Sequence, residues 1–575
     1  MDSDLRSIQQ ARTLLAQAAE AFQKYHMFDQ AAVDTVVAAM IKAGVSQADR
    51  LATLAVSETG FGRVESKIEK NLFATRTLGE RMEGMRTCGI INKTHGNSIW
   101  EIATPMGLIA ALVPSTNPTS TALYKAIISA KARCSIVMSP HPRAAECTAE
   151  ALKVVADAAY AAGAPEGLFG CMTEISLDGT NALLEDERTD LILATGGSAM
   201  VKSAYSKGKP AYGVGSGNVP VYVDRSADIE KAAKDIVYGS YFDHGTLCST
   251  ERSIVADAPI KNKLIEHLKK AGAFILDEDQ KSKLRKYIQV DGRLNVDQVG
   301  RSPAYIAEKA GFSVPPKTRT LVAEVTSVGK DEPLSMETLS PILSLYERDG
   351  WEAGCEMCKS ILSFGGLGHT LGIHAGNERI IEAFGLEKPA MRIVVNTVCA
   401  LGSVGFTTQL FPAMTLGPGT IGGSITSDNI SPMDLINIKR VAFETNPIHP
   451  GTKTIAGSLR YGAESAKRKT SQADRNDSPG WMDEIESRLR ARAGSPGTSP
   501  RETKFVRSEK PVSQKRSAKF ATNPDDHSNA APDGPAGSNV ASSVIVESTR
   551  ATKSDNSYSL SADEIDALVD RFKKT

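Results

Sequence analysis

One cysteine stands where it could act as a nucleophile. Cys248 lies in the segment Phe242-Asp-His-Gly-Thr-Leu-Cys-Ser-Thr-Glu-Arg252, and Gly245 shortly before it lets the backbone bend. A helical pattern, IEKAAKDIVYGSYF, ends as this segment starts, and a strand pattern, RSIVAD, begins soon after the cysteine. A loop of that kind can leave a thiol partly exposed and favour its thiolate. Taken alone, the residue reads equally as a small buried hydrophobe. Thr195-Gly196-Gly197-Ser198 directly follows the strand-like TDLILA and opens a helix. Small residues there would let a pyrophosphate lie against the helix N-terminus, although an ordinary tight βα turn looks the same. The text G-x-G-x-x-G occurs at Gly417–Gly422, but QLFPAMTL before it and Gly423-Ser-Ile-Thr after it supply neither the strand nor the helix of a dinucleotide fingerprint. It reads as a loop. Cys355-Glu-Met-Cys358 sits in a helical stretch with no second pair or His cluster nearby, so no metal site is expected.

These residues need elements to hold them. Residues 1–60 read as helices, LRSIQQARTLLAQAAEAFQKY and then FDQAAVDTVVAAMIKAG. From residue 100 onward short strands and helices alternate: GLIAALVP, CSIVMSP, TDLILATG and NVPVYV are strand runs separated by amphipathic segments. Such alternation implies a parallel sheet covered by helices on both faces, wound by right-handed crossovers. It resumes at ILSLYE, TLGIHA and MRIVVNT, which predicts a second α/β domain.

The chain has 575 residues, enough for several folded units. Lys+Arg and Asp+Glu are both 67, so no whole-molecule basic field exists to grip nucleic acid. No apolar run approaches the ~18 residues that span a bilayer, so no membrane association is expected. The first twenty residues lack the order of a signal peptide, and the eight cysteines are expected to be mostly reduced thiols in the cytoplasm. Near residue 462 the composition turns to Ser, Pro, Asp, Arg and Lys, which predicts a disordered linker over 463–558 with one short amphipathic stretch from Trp481 to Arg492. The last residues differ again. Ser561 and Glu564 fit a capping box, and Ile565, Leu568, Val569 and Phe572 form one apolar stripe. A helix this short on a long tether suits capture by a groove on a partner.

STNPTS (115–120), SPHPRAA (139–145), ATGGSAMV (194–201), GVGSGNVPVYV (213–223), FDHGTLCSTERS (242–253) and METLSPILSL (336–345) occur in the order found in aldehyde dehydrogenases. The chain resembles the CoA-acylating branch of that family over roughly residues 5–462. The resemblance implies an aldehyde dehydrogenase-like α/β fold, with a Rossmann-type cofactor domain and an α/β catalytic domain. The boundaries expected are 1–224 for the N-terminal helices and dinucleotide-binding domain, 225–425 for the catalytic domain and 426–462 for a return and oligomerisation segment. A linker at 463–558 and a targeting helix at 559–575 follow.

The resemblance also assigns residues. Cys248 matches the family nucleophile, and Asn117 the amide of the oxyanion hole. Thr195, Gly196, Gly197 and Ser198 match the turn over the cofactor pyrophosphate, with Ser139, Pro140 and Gly215 placed along the same cleft. Glu337 matches the acid that holds the nicotinamide ribose. Ser139 and Pro142 stand where hydrolytic relatives carry Lys and Glu on the adenosine ribose, which leaves NAD against NADP open. His244 and His369, the latter in the Gly-rich GGLGHT, are candidates for the substrate or CoA site, although a lone His is more often structural. Hydrolytic relatives place a general-base Glu where this chain has Gly213-Val-Gly-Ser-Gly-Asn218. Water needs such a base to attack a thioester, whereas a CoA thiol can attack as thiolate.

The expectation is therefore reversible oxidation of a short aldehyde to its acyl-CoA with NAD(P)+ and CoA, through a thioester on Cys248. An acyl-phosphate reductase of the same superfamily, or an acylating enzyme for sulfoacetaldehyde or a semialdehyde, is the alternative. The resemblance further implies a homodimer or homotetramer. It also likens segment 559–575 to peptides that target enzymes to the shell proteins of bacterial microcompartments.

Overall fold

The computed structural model describes residues 2–290, 292–446 and 448–449; the linker read at 463–558 and the helix read at 559–575 lie outside them. Three helices, Ser3–Tyr25, Gln30–Ser46 and Ala48–Thr59, open the chain. The Asp29 side chain caps the second through the Ala32 N–H.

The first sheet is parallel and five-stranded: β1 (Leu108–Val113), β2 (Ser135–Pro140), β3 (Phe169–Cys171), β4 (Leu191–Thr195) and β5 (Ala211–Val214) in the order β3-β2-β1-β4-β5. Every residue of β1 is buried, as expected of a strand covered on both faces. The strand order reverses between β1 and β4, where Leu112 pairs with Ala194. Ligands of open α/β sheets bind at the carboxyl ends of the strands flanking such a reversal.

The second sheet is also parallel. It contains β6 (Val219–Val223), β7 (Glu251–Asp257), β8 (Ala273–Ile275), β9 (Thr320–Glu324), β10 (Ile342–Arg348), β11 (Gly368–His374) and β12 (Ala390–Val395), in the order β8-β9-β10-β7-β6-β11-β12. Val219–Val223 is thus an inner strand of the second sheet, between β7 and β11. A sheet-based boundary falls between Val214 and Val219, ahead of the expected 224. The sequence could not show this, because NVPVYV is apolar enough to fit an inner strand of either sheet. A third, antiparallel sheet joins distant segments: Ile436–Ala442 pairs with Ile99–Pro105, which pairs with Gly89–Thr94. Ala400, Leu401, Val404, Met414, Ile430 and Leu435 return to the core that packs the first sheet.

Candidate functional site

The residues singled out in the sequence come from two edges. Asn117 follows the C-terminal end of β1, and Thr195–Ser198 follow that of β4, so both lie at the strand reversal. Cys248 precedes β7, Gly217 precedes β6, Glu337 precedes β10 and His369 lies at the start of β11, which places all four at the N-terminal edge of the second sheet.

Cys248 is partly buried. Its loop is held from behind by the Arg252 guanidinium, which donates to the carbonyls of Gly245 (2.5 Å), Leu247 (3.3 Å) and Ser340 (3.0 Å). Gly245 has φ 71°, and a Cβ there would lie 2.8 Å from Arg252 Nη1. Only glycine combines that conformation with that approach. Asp243 and His244 adopt left-handed φ of 48° and 49°, an uncommon conformation that the surrounding contacts must hold. A Cβ on Gly217 would sit 2.2 Å from the Cys248 carbonyl oxygen and 3.3 Å from the His369 ring, so the β5–β6 loop is packed directly on the nucleophile segment.

Asn117 is the N-cap of helix Pro118–Lys131, yet its side chain makes no capping bond. Its Oδ1 instead accepts from Lys70 Nζ at 2.6 Å, and its Nδ2 donates to Thr116 Oγ1 (3.1 Å) and the Thr246 carbonyl (3.3 Å). The amide is thereby tied to the loop that carries Cys248.

Electrostatics restrain the thiol. Burial pushes Cys248 up to about 12; the Glu337 carboxyl adds to this, while Arg392 and Arg252 oppose it. Glu337 is itself raised to about 7 by burial and accepts the Gly217 N–H at 3.1 Å. His369 is buried and pulled down to about 3 by desolvation and Arg392, so its imidazole is neutral. Its Nδ1 pairs with Thr370 Oγ1 at 2.9 Å, and its Nε2 has no hydrogen-bond partner. The His244 ring turns away, with Nδ1 against the Gly300 carbonyl at 3.2 Å and its plane edge-on to Tyr241.

The Thr195–Ser198 turn is built differently. Gly197 is the N-cap of helix Ser198–Tyr205, with no side-chain cap, and a Cβ there would meet nothing within 4 Å. Thr195 Oγ1 faces Thr415 Oγ1 at 3.1 Å, and the Gly196 N–H bonds the Val214 carbonyl of β5. Open backbone donors at a helix N-terminus fit a dinucleotide pyrophosphate. Along the same cleft Ser139 is buried with its hydroxyl 2.8 Å from Thr180 Oγ1, Pro140 ends β2, and Gly215 is partly exposed between the sheets. The Gly417–Gly422 segment packs its Pro418 carbonyl over Gly368 and ends in a short 3₁₀ turn, Thr420–Gly422. Cys355 and Cys358 are buried on helix Trp351–Phe364. Among the described residues no three His, Cys, Asp or Glu side chains converge on a metal position, and no helix is long and apolar enough to cross a membrane.

Two features escaped the sequence reading. The first is a buried charge cluster: Asp243 accepts from Lys67 (3.0 Å), Lys70, Thr246 Oγ1 (2.5 Å) and the Arg63 N–H (2.8 Å). The lysines hold the Asp243 carboxyl down at about 2 against its burial, while burial lowers Lys70 to about 7 against the pull of Asp243. Helix Val64–Leu72 buries Ser66, Lys67, Lys70 and Asn71, which is its polar face. A periodicity reading takes that face as solvated, because Val64, Ile68 and Leu72, spaced four apart, read as the buried stripe. The second is a small apolar cleft lined by Phe73, Phe242, Leu247 and Phe406, with Glu69 and Lys70 also in the lining.

Residues 5–282 match the model of the aldehyde dehydrogenase family. The chain is 40% identical over 428 residues to an aldehyde-alcohol dehydrogenase of Clostridium acetobutylicum, covering 74% of this chain and 49% of that one. It thus spans about half the length of that curated relative. An acetylating aldehyde dehydrogenase from Geobacillus thermoglucosidasius, known by its crystal structure, is 48% identical, with 78% of this chain and 99% of that one covered and a TM-score of 0.77. The crystal structure of a Rhodopseudomonas palustris propionaldehyde dehydrogenase with bound CoA and an acylated cysteine is 28% identical, covering 75% of this chain and 97% of that one at a TM-score of 0.68. The chain belongs to the acylating aldehyde dehydrogenase family.

Proposed function

We propose that the protein oxidises a short-chain aldehyde to its acyl-CoA, reversibly, with Cys248 as nucleophile. The observation that carries this reading is the tie between the Asn117 amide and the Cys248 loop, beside an apolar cleft and with no carboxylate in the Gly213–Asn218 segment. The Cys248 thiol gives up its proton to solvent, Sγ bonds to the carbonyl carbon, and the oxygen that becomes negative is held by Asn117 Nδ2 and a backbone N–H. One such donor is typically worth ~10²–10³ in rate. NAD(P)+, when bound over Thr195–Ser198 with its nicotinamide ribose on Glu337, supplies the hydride acceptor and a cationic ring. The acyl group then stays on Sγ as a thioester.

Release of the acyl group falls to a thiol. CoA attacks the thioester carbon as its thiolate, the thiol proton passing to solvent, and Cys248 leaves as thiolate; the neutral His369 imidazole, with Nε2 unpaired, is suited to hydrogen-bond the incoming CoA rather than to act as a base. The CoA-bound, cysteine-acylated relative supports that order of events. His244 is assigned to anchoring the loop. The cleft walls are mostly aromatic and aliphatic, with Glu69 and Lys70 also in the lining.

The test is reduced-cofactor absorbance with propionaldehyde, with and without CoA. Turnover that needs CoA and yields propionyl-CoA is expected; free propionate released at full speed without CoA overturns the reading. For segment 559–575 we infer capture by a microcompartment shell protein. Fusing residues 556–575 to a fluorescent protein should give punctate signal in cells that make shells, and diffuse signal would refute it.

A further inference from the structure

The Asn117 amide can point its nitrogen or its oxygen at the nucleophile loop, and only one orientation donates to an oxyanion. Nothing in Asn117 itself decides between them. Its place at a helix N-cap would ordinarily draw Oδ1 to a backbone N–H of the first turn, but no such bond forms. The competitor is Lys70, 2.6 Å from Oδ1. An ammonium offers only donors, so the group facing it must be the oxygen, and the nitrogen must face the other way. Lys70 is in turn immobile. It is buried at 3% exposure, on the same carboxylate as Lys67, which is itself 1% exposed and donates to the Thr116 carbonyl at 3.0 Å. Asp243 is fully buried, and its chain neighbour three residues on, Thr246, both donates to Asp243 and offers its carbonyl to Asn117 Nδ2. Lysine, carboxylate, threonine and amide therefore form one closed ring of contacts.

We propose that Lys70 is a positioning residue that fixes the Asn117 carboxamide with its NH₂ toward the nucleophile loop, the carboxylate of Asp243 holding Lys70 in place. This rests on the reading of Asn117 as the oxyanion donor. A lysine serving only as a structural ion pair would affect folding alike whether or not the amide is present. A positioning lysine acts through the amide and loses its effect without it.

A double-mutant cycle on the full-length protein separates these cases, with propionaldehyde, NAD+ and CoA as substrates. Lys70→Met, which keeps the stem and the Lys67–Asp243 pair, should lower kcat about tenfold or more while the aldehyde KM moves less than about twofold, the pattern of an interaction made only in the transition state. In an Asn117→Ala background the same change should alter kcat by less than about twofold, since the partner it orients is gone. Lys70→Gln, which keeps a donor, should recover part of the loss. Equal losses from Lys70→Met in both backgrounds, or an unchanged kcat in the single variant, overturn the proposal. Should Lys70→Met fail to fold by circular dichroism, Lys70→Ala in the same cycle decides by the same criterion. Asn117→Ala turning over at the wild-type rate sinks the oxyanion reading itself, and is distinguished from failure of the Lys70 assignment by being visible in that single variant.

Discussion

The two sides of the cleft are built on opposite principles. At the carboxyl end of β4, the turn Thr195–Ser198 presents bare backbone: an uncapped helix start, a glycine with open space around it and no charged side chain. Across from it, the loop from Phe242 to Cys248 is held by fully buried charge, with Arg252 on three carbonyls and Asp243 between two lysines. The first side is backbone with open space before it. The second is satisfied already, so its geometry is set before anything binds. That asymmetry suits a site in which the cofactor comes and goes while the nucleophile and oxyanion donor stay fixed.

The comparison can be broken experimentally. The largest effect belongs to the preset side: Cys248→Ala should cut acyl-CoA formation by about 10⁴-fold or more, while equilibrium dialysis still detects NAD+ binding. Asn117→Ala should follow, with a loss of ~10²–10³ in kcat in the absorbance assay. Asp243→Asn leaves two buried ammonium groups uncompensated. It should lower unfolding free energy by about 3–5 kcal/mol, read by chemical denaturation, and a negligible change would show that the preset side does not depend on its charge cluster.

Smaller effects lie on the open side. Gly197→Ala meets no atom in the free protein, so stability should shift within about 0.5 kcal/mol, while the NAD+ KM rises about tenfold because the backbone no longer admits the pyrophosphate as closely. Equal effects on stability and KM would erase the contrast between the two sides. The smallest signal is in pH. Asp243 has its folded carboxyl at about 2, below the ~3.9 of an unfolded aspartate. Its contribution is therefore complete above pH ~4 and is lost as pH falls toward 2. The denaturation midpoint should drop across that window in the wild type and drop less in Asp243→Asn.

The same asymmetry governs what the sequence reveals. Backbone-built features leave compositional marks, so the glycine turn after TDLILA and the glycine before Cys248 were both legible, and the apolar runs of β1, β2, β4 and β10 were placed within a residue or two. The charge cluster was not. Lys67 and Lys70 fall three apart on a short helix, the pattern of any solvated face, and only a partner 173 residues away makes Lys70 a buried ion. Arg252 and Arg392 were missed for the same reason, since their acceptors are carbonyls, which carry no residue identity. The antiparallel sheet was unreadable because its strands, Gly89–Thr94 and Ile436–Ala442, alternate weakly and face water along much of their length.

That antiparallel sheet has a consequence for how the chain comes to be folded. Ala442 pairs with Ile99, and Leu435 and Ile430 fill the core around β1. Closure of the amino-terminal half therefore waits on residues more than three hundred positions later. During synthesis its apolar surface stays uncovered until almost all of the described chain has left the ribosome. Contacts of such long range slow folding and prolong the exposure of aggregation-prone surface. Refolding from denaturant should accordingly be slow and concentration-sensitive, and a nascent chain halted before residue 430 should engage chaperones far more than the full-length chain released from the ribosome.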